Sequence, residues 1–401
     1  MKKFLALTIS VTMILASLTA CGGSGTAATT AAPAAAATTA AAAATVASTT
    51  AAATKAAETS AKAAVETTAA QAQKSGKKCK IALVILSGDH GFTGESVKHA
   101  EMEADDIMKK NSNVNVVVKS CAEASNQISE IENLIAEGDI DAIMLWPTEG
   151  EALRSAAQTI IDAKIKLVVY DRLIENFQGV DAQIMGDNFS IGKEMGDYLN
   201  KFYSDKQTVN YLRFVGDSST VTSQRSGGMD KVIDTNKFKQ INETFVTNWS
   251  TEKAQEQMEN WLNAHSKDEV ESLDLIVTHD DEIVDGIMNA LNAYSGDAKI
   301  NVKLITSVGG REDTMKKFET TKLGVKFTTW FFAPSFIREG IDLTVADATG
   351  EKFGGTATLD PSTGVYLIPS FSISNAGNAH YDFTQYRASD EYKVRYSIGN
   401  F

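Results

Sequence analysis

Leu167-Val168-Val169-Tyr170-Asp171-Arg172 is the stretch that decides how the rest of the chain is read. An unbroken apolar run, closed by an acid and a base, describes a strand buried on both faces. Its carboxyl end delivers two opposite charges to the edge of a sheet. In open α/β sheets, ligands bind outside such strand ends. Taken alone, the same Asp-Arg pair also reads as a surface salt bridge, so its surroundings must choose.

Working outward, strands alternate with amphipathic helices on both sides. Upstream, Ile81 to Leu86 forms a buried strand, and Ser87 to Gly94 is a Gly-rich loop opening a helix with Val97, Ala100, Ala104, Ile107 and Met108 on one face. A strand over 114–118 and a helix marked by Ile128, Ile131, Leu134 and Ile135 follow. Ala142 to Trp146 is a strand stopped by Pro147, and a third helix runs over about 149–163. Downstream, 183–188 reads as another short strand, and the series then restarts. Strands are predicted over 209–215, 243–247, 273–277 and 302–306, with helices around 223–235, 252–264, 281–293 and 312–320. Such alternation means doubly wound parallel sheets. Two successive series exceed what one core supports, so the fold class expected is α/β with two Rossmann-like lobes and a binding cleft between them.

The 401 residues, 43% of them hydrophobic, suffice for proper cores. Charge is unevenly spread. Residues 1–78 hold seven Lys against Glu58 and Glu66, a balance of +5, so the remainder carries −18 of the total −13. An acidic folded part repels phosphate backbones, which excludes nucleic acid as a partner. The cysteines, Cys21, Cys79 and Cys121, have no metal-ligand or redox spacing, so no disulfide framework or metal site is implied. Cys79 opens the first strand and Cys121 follows the second. Parallel strands then hold the thiols roughly 20 Å apart, beyond the ~7 Å limit for a bridge.

The amino-terminal segment is a separate matter. Lys2 and Lys3 precede an apolar run from Phe4 to Leu15, small residues, and then Leu18-Thr19-Ala20-Cys21-Gly22. This is a secretory signal too short for a comfortable membrane span. Its end resembles a lipobox, which implies a signal peptide over 1–20, lipidation at Cys21, an extracytoplasmic location and a membrane anchor. From 21 to 77 the composition collapses to Ala and Thr. Such a linker has nothing to bury and is expected to be disordered. A flexible coil of this length reaches roughly 40 Å, enough to hold a domain clear of a membrane surface.

From about 79 to 375 the chain resembles the periplasmic sugar-binding proteins of the ribose, galactose and xylose type, which feed ABC transporters. Ile131-Glu132-Asn133-Leu134-Ile135, Leu145-Trp146-Pro147-Thr148 and Val169-Tyr170-Asp171-Arg172-Leu173-Ile174 look most like the xylose-binding branch. Trp249-Ser250-Thr251, with Ala254, Met258 and Trp261, and then His279-Asp280-Asp281-Glu282 look like the galactose and xylose branches. Each motif is weak alone; their shared order and spacing is specific. The resemblance implies a periplasmic binding protein-like fold of type I. One lobe would span 78–187 plus about 331–355 and the other 188–330 plus about 356–401. Asp187-Asn188 and Thr328-Thr329-Trp330 would lie at crossings, and the lobes would close by a hinge motion.

Carried over residue by residue, the resemblance places Asp171 and Arg172 on ligand hydroxyls from the first lobe, with Asp89, His90 and Phe92 in the first strand loop. Arg225, the stacking aromatic Trp249, and Asp280 would contribute from the second lobe. A sugar suits these types: a carboxylate accepts two hydroxyl protons, a guanidinium donates to ring oxygens, and an aromatic face packs on C–H groups. Trp146 and Trp330, at predicted strand ends, complete the set of expected ligand contacts. Trp261, inside an amphipathic helix, is expected in the core. His99 and His265 are read as helix-surface residues, and Phe331 and Phe332 as either ligand-side or hinge-side packing. Three departures stand out. Asp280 replaces the usual Asn; Ser307-Val308-Gly309-Gly310 lacks the expected ligand acid, with Glu312 or Asp313 as candidate substitutes; and Trp146 replaces a smaller residue.

The implied function is an extracytoplasmic lipoprotein that captures a xylose-like monosaccharide or related carbohydrate and delivers it to an ABC permease, as a monomer without cofactor. The alternative is a ligand sensor for a chemoreceptor or sensor kinase, which uses the same trap. An enzyme is disfavoured, because no phosphate loop, G-x-G-x-x-G after a strand, G-x-S-x-G or Cys-based metal set occurs. A repressor of related fold is excluded by the export signal and the missing helix-turn-helix.

Overall fold

The computed structural model describes residues 78–88 and 91–395. The signal, the linker, Cys21, Asp89 and His90 lie outside the described residues. The first series is β1 (Cys79–Leu86), α1 (Gly91–Lys110), β2 (Val114–Cys121), α2 (Ala124–Glu137), β3 (Ala142–Leu145), α3 (Arg154–Asp162), β4 (Lys166–Tyr170) and β5 (Ala182–Gly186). The second begins with α4 (Asn188–Phe202), β6 (Val209–Val215), α5 (Thr220–Val232), β7 (Phe238–Gln240), β8 (Phe245–Val246), α6 (Thr251–Ala264) and α7 (Lys267–Glu271). It continues through β9 (Leu273–Thr278), α8 (Asp281–Ala293), β10 (Leu304–Gly309), α9 (Glu312–Thr320) and β11 (Lys326–Phe331). The chain then adds α10 (Phe336–Thr349), β12 (Thr358–Asp360), β13 (Val365–Ile368), β14 (Ser372–Ser374), β15 (Tyr381–Asp382), α11 (Phe383–Ala388) and α12 (Asp390–Arg395).

Two sheets result. The first runs β12-β13-β5-β4-β3-β1-β2 and the second β15-β14-β11-β10-β9-β6-β7, with β8 also pairing β6. The central strands are parallel in both sheets. Strand order reverses between β1 and β3 in one sheet and between β6 and β9 in the other, the places where doubly wound sheets open a crevice. Helices cover both faces, so β1, β3, β4, β9 and β10 read as near-continuous apolar runs, and almost every residue in them is buried. Helix ends follow local chemistry. Ser266 and Glu269 form a capping box at α7, and Gly138, at φ 75°, closes α2 in the left-handed conformation.

The chain passes between the sheets three times: at Asp187, whose carboxylate caps α4 through the Ser190 N–H (3.1 Å), over 332–335, and over 369–371. Two expectations change here. Thr328, Thr329 and Trp330 are not a crossing; they lie inside β11, paired in parallel with Thr306, Ser307 and Val308 of β10. Residues 358–368 do not join the second lobe either. β13 pairs in parallel with β5, Val365 against Gln183, so the return segment of the first lobe extends through Ile368. Cys79 pairs with Val114 and Cys121 with Leu86, which sets the two thiols at opposite ends of adjacent strands.

Candidate ligand-binding site

Both reversals point at one cleft. Its walls are Phe92, Thr93, Trp146, Asp171 and Arg172 from the first lobe, Val221, Arg225, Trp249 and Asp280 from the second, and Phe332 from a crossing. Phe92 and Thr93 sit on the first turn of α1, Trp146 follows β3, and Asp171 follows β4. Opposite, Val221 and Arg225 sit on α5, Trp249 precedes α6, and Asp280 follows β9. Each is thus delivered by a strand's carboxyl end. The space enclosed is about 420 Å³, counting the part continuous with solvent.

The first wall is held rigidly. The Trp146 ring packs edge-on against Phe92 (6.3 Å) and Tyr170 (5.3 Å), and its Nε1–H donates to Asp171 Oδ2 at 3.1 Å. Buried Gln127 pins the loop behind it, donating to the Trp146 carbonyl (2.7 Å) and accepting the Thr148 N–H (2.8 Å). Asp171 adopts φ 62°, a conformation that Asp tolerates better than most residues. Its other oxygen, Oδ1, is buried with no partner among the described residues. Burial raises the Asp171 carboxyl above its usual range, against the pull of the Arg172 and Arg225 guanidiniums. A buried acceptor facing a cleft without a partner is costly unless a ligand supplies the donor.

The second wall centres on Arg225, which is 3% exposed. Its Nε donates to Asn188 Oδ1 (2.8 Å) and its Nη1 to the His279 carbonyl (2.6 Å). The guanidinium lies 4.6 Å from the Phe332 ring centre and 6.0 Å from that of Trp249. Burial lowers its pKa to about 10 despite the carboxylates of Asp280, Asp171, Asp217 and Asp281, so it stays charged at neutral pH. Trp249 and its neighbour Asn248 both have positive φ, 63° and 52°. The indole lies so close over Gly216 that a Cβ there would stand 2.1 Å from the ring. Strain of this kind clusters where a side chain must be aimed.

Asp280 accepts the Glu282 N–H (2.7 Å), capping α8. Burial first, then repulsion from Glu282 and Asp281, pushes its pKa up to about 8. Held neutral, a carboxyl both donates and accepts, as an amide does. Beside Ser307 to Gly310, which carries no acid, lies Asp281. The Asp281 carboxylate accepts the N–H groups of Gly310 (2.7 Å) and Arg311 (2.8 Å) and the Thr329 hydroxyl (3.0 Å). It occupies the space of any side chain at 309, since a Cβ on Gly309 would meet it at 2.6 Å. Glu312 and Asp313 are not substitutes: on α9, Glu312 bonds Tyr392 and pairs with Lys316 (3.0 Å), and Asp313 faces Lys316 (3.8 Å).

Of the expected contacts, Phe92, Trp146, Asp171, Arg172, Arg225, Trp249 and Asp280 come together in the cleft. Trp330 does not. It is 1% exposed within β11, with its Nε1–H on Glu194 (3.2 Å) and its ring against Tyr198, and it belongs to the core. Trp261 is buried as expected and stacks on His265. His99 is fully buried under Arg338 rather than on a helix surface, and His265 is half-buried. The sequence does not single out Thr93, Val221 and Gln127, and marks Asn188 only as part of a crossing. Only the Gln amid the apolar spacing of α2 signalled a buried polar role.

Arg172 has further duties. It donates to the Thr148 carbonyl, and its Nη2 pairs across the cleft with Asp217 Oδ2 at 3.1 Å. The Leu173 N–H beside it donates to Thr220 Oγ1 of the other lobe (3.0 Å). Burial would raise the Asp217 carboxyl, but Arg172, together with the Ser219 N–H that donates to it (3.0 Å), holds it below its usual range.

The D-xylose-binding periplasmic protein of Haemophilus influenzae is 30% identical over 183 residues, which cover 44% of this chain and 52% of that protein, so the chain spans about half the length of this relative. The multiple sugar-binding periplasmic receptor ChvE of Rhizobium radiobacter is 23% identical over 279 residues, covering 62% of this chain and 73% of that one. Among solved structures, a carbohydrate transporter solute binding protein from Chloroflexus aurantiacus in complex with D-glucose superposes with a TM-score of 0.64 at 18% identity, over 81% of this chain and 98% of that one. That likeness shows the same two-lobed fold. The model of the periplasmic binding protein domain family matches residues 81–352, most of the folded part, and the chain belongs to that family.

Proposed function

We propose that the protein binds a monosaccharide between its lobes and presents it to an ABC permease as an extracytoplasmic, lipid-anchored subunit. The observation that carries this reading is the pairing of aromatic walls on both lobes with Asp171 Oδ1, a buried acceptor with no partner among the described residues. A sugar ring offers hydroxyl donors for that oxygen and C–H faces for Trp249, Phe92 and Phe332. The names of the relatives support a sugar, and the two xylose-type matches favour a pentose. Binding and release without bond-making needs no cofactor, and the reading assigns none. The lipid anchor at Cys21 rests on the sequence before it; among the described residues no helix is long and apolar enough to cross a membrane.

The test is a panel of D-xylose, D-ribose, L-arabinose, D-glucose and D-galactose titrated into the protein, read by tryptophan emission and melting temperature. Trp146 and Trp249 border the cleft, so a bound sugar changes their surroundings. Saturation by at least one of these with a raised melting temperature supports the reading. No response to any of them overturns it.

A further inference from the structure

We propose that Glu282 is a closure latch: carried by the second lobe, its carboxylate grips the first turn of α1 in the first lobe and so sets how firmly the lobes hold together. Glu282 Oε1 accepts the Phe92 N–H at 2.9 Å, a bond joining residues 190 positions apart. That N–H belongs to the first turn of α1, where helix N–H groups lack internal partners and the helix dipole favours an anion. Glu282 is 7% exposed and does not line the ligand cleft, whereas Phe92, whose backbone it holds, does. Arg311, on its own lobe, stands 3.5 Å from the same oxygen and steadies it.

A second observation shows that the approach is built in. A Cβ on Gly91 would lie 2.3 Å from Glu282 Oε1, so the carboxylate reaches the helix only because residue 91 has no side chain. Among the described residues, hydrogen bonds and ion pairs join the lobes at two clasps beside the cleft: Glu282 on Phe92, and the Arg172–Asp217 and Leu173–Thr220 bonds. Loss of either clasp raises the open population, and a ligand that needs both walls loses apparent affinity in proportion to the closed fraction. Glu282 is therefore a positioning residue, not a ligand contact.

This inference rests on the cleft being a hinged site, but not on the ligand being a sugar, and its test uses the full chain with no ligand added. Amide hydrogen exchange is read at Leu173, which belongs to the other clasp. Glu282→Ala is expected to speed exchange at Leu173 about tenfold, equivalent to about 1.4 kcal/mol in the opening equilibrium. Glu282→Gln keeps an acceptor oxygen and should give a smaller rise. Gly91→Ala, which pushes the carboxylate away from the opposite lobe, should resemble Glu282→Ala with Glu282 intact. Leu173 exchange within twofold of the unsubstituted protein in Glu282→Ala, or in Gly91→Ala, overturns the proposal. A sugar panel that fails while Leu173 responds removes the sugar reading and leaves the latch.

Discussion

Asp171→Asn isolates the contact on which the sugar reading depends. Asn is nearly isosteric and tolerates the φ of 62° found here. Its amide oxygen can take over the Trp146 indole N–H now held by Oδ2 at 3.1 Å. The atom then replacing Oδ1 is an NH2, which donates and cannot accept a ligand hydroxyl proton. A hydrogen bond to a charged acceptor contributes about 1.5–3 kcal/mol, so the best sugar of the panel should bind roughly ten- to a hundredfold more weakly. Stability should hardly move, because the indole keeps its partner. A melting temperature within about 3 °C of the original is expected at this size. Asp171→Ala differs in kind. It strands the buried Trp146 Nε1–H, costing about 1–3 kcal/mol, and places a residue averse to positive φ at that position, so both binding and melting temperature fall. Isothermal titration calorimetry and thermal scanning separate the cases. Asn-substituted protein that binds the same sugar within twofold of the original would refute the role given to Oδ1.

Other outcomes follow from the opposite wall. Gly216→Ala should displace the Trp249 indole, which a new Cβ would meet at 2.1 Å, and weaken binding about as much as Trp249→Ala; affinity unchanged from the unsubstituted protein in both variants, by the same titration, would remove Trp249 from the site. For Asp280 the sign of the pH effect follows from its raised pKa of about 8 against an ordinary value near 3.9 in the unfolded chain. Between those values the folded state binds more protons, so this group's stabilising contribution is complete below about pH 4 and is lost as pH rises towards 8. Asp280→Asn should therefore gain melting temperature relative to the original protein between pH 5 and 8; parallel curves would contradict the shift.

Much of the architecture was legible because it is local. Helices predicted at 281–293 and 312–320 match α8 and α9, and 252–264 differs from α6 by one residue, since capping residues and apolar spacing mark helices from within. The misses are all non-local. Nothing near Trp330 announces that β11 continues past it, because the strand's extent is set by pairing with β10 down to Gly309 against Phe331. Residues 358–368 join the first sheet because β13 finds the edge of β5, a partner some 180 residues earlier. His99 looked like a surface residue on α1 until α10 was packed over it.

The sequence by itself determined the two βα series, the strand ends that carry Asp171, Arg225, Trp249 and Asp280, and the family. Those follow from hydrophobic period, turn residues and motif order, which any chain segment carries within itself. Only the tertiary structure decided what neighbouring residues of like chemistry do. Asp280 borders the cleft while Asp281, one residue on, is consumed by the backbone of Gly310 and Arg311. Arg172 is spent partly on Asp217, and Glu282 grips a helix of the other lobe. A carboxylate's role is set by which donors reach it and how much water is excluded, and both are properties of surfaces brought together from distant parts of the chain.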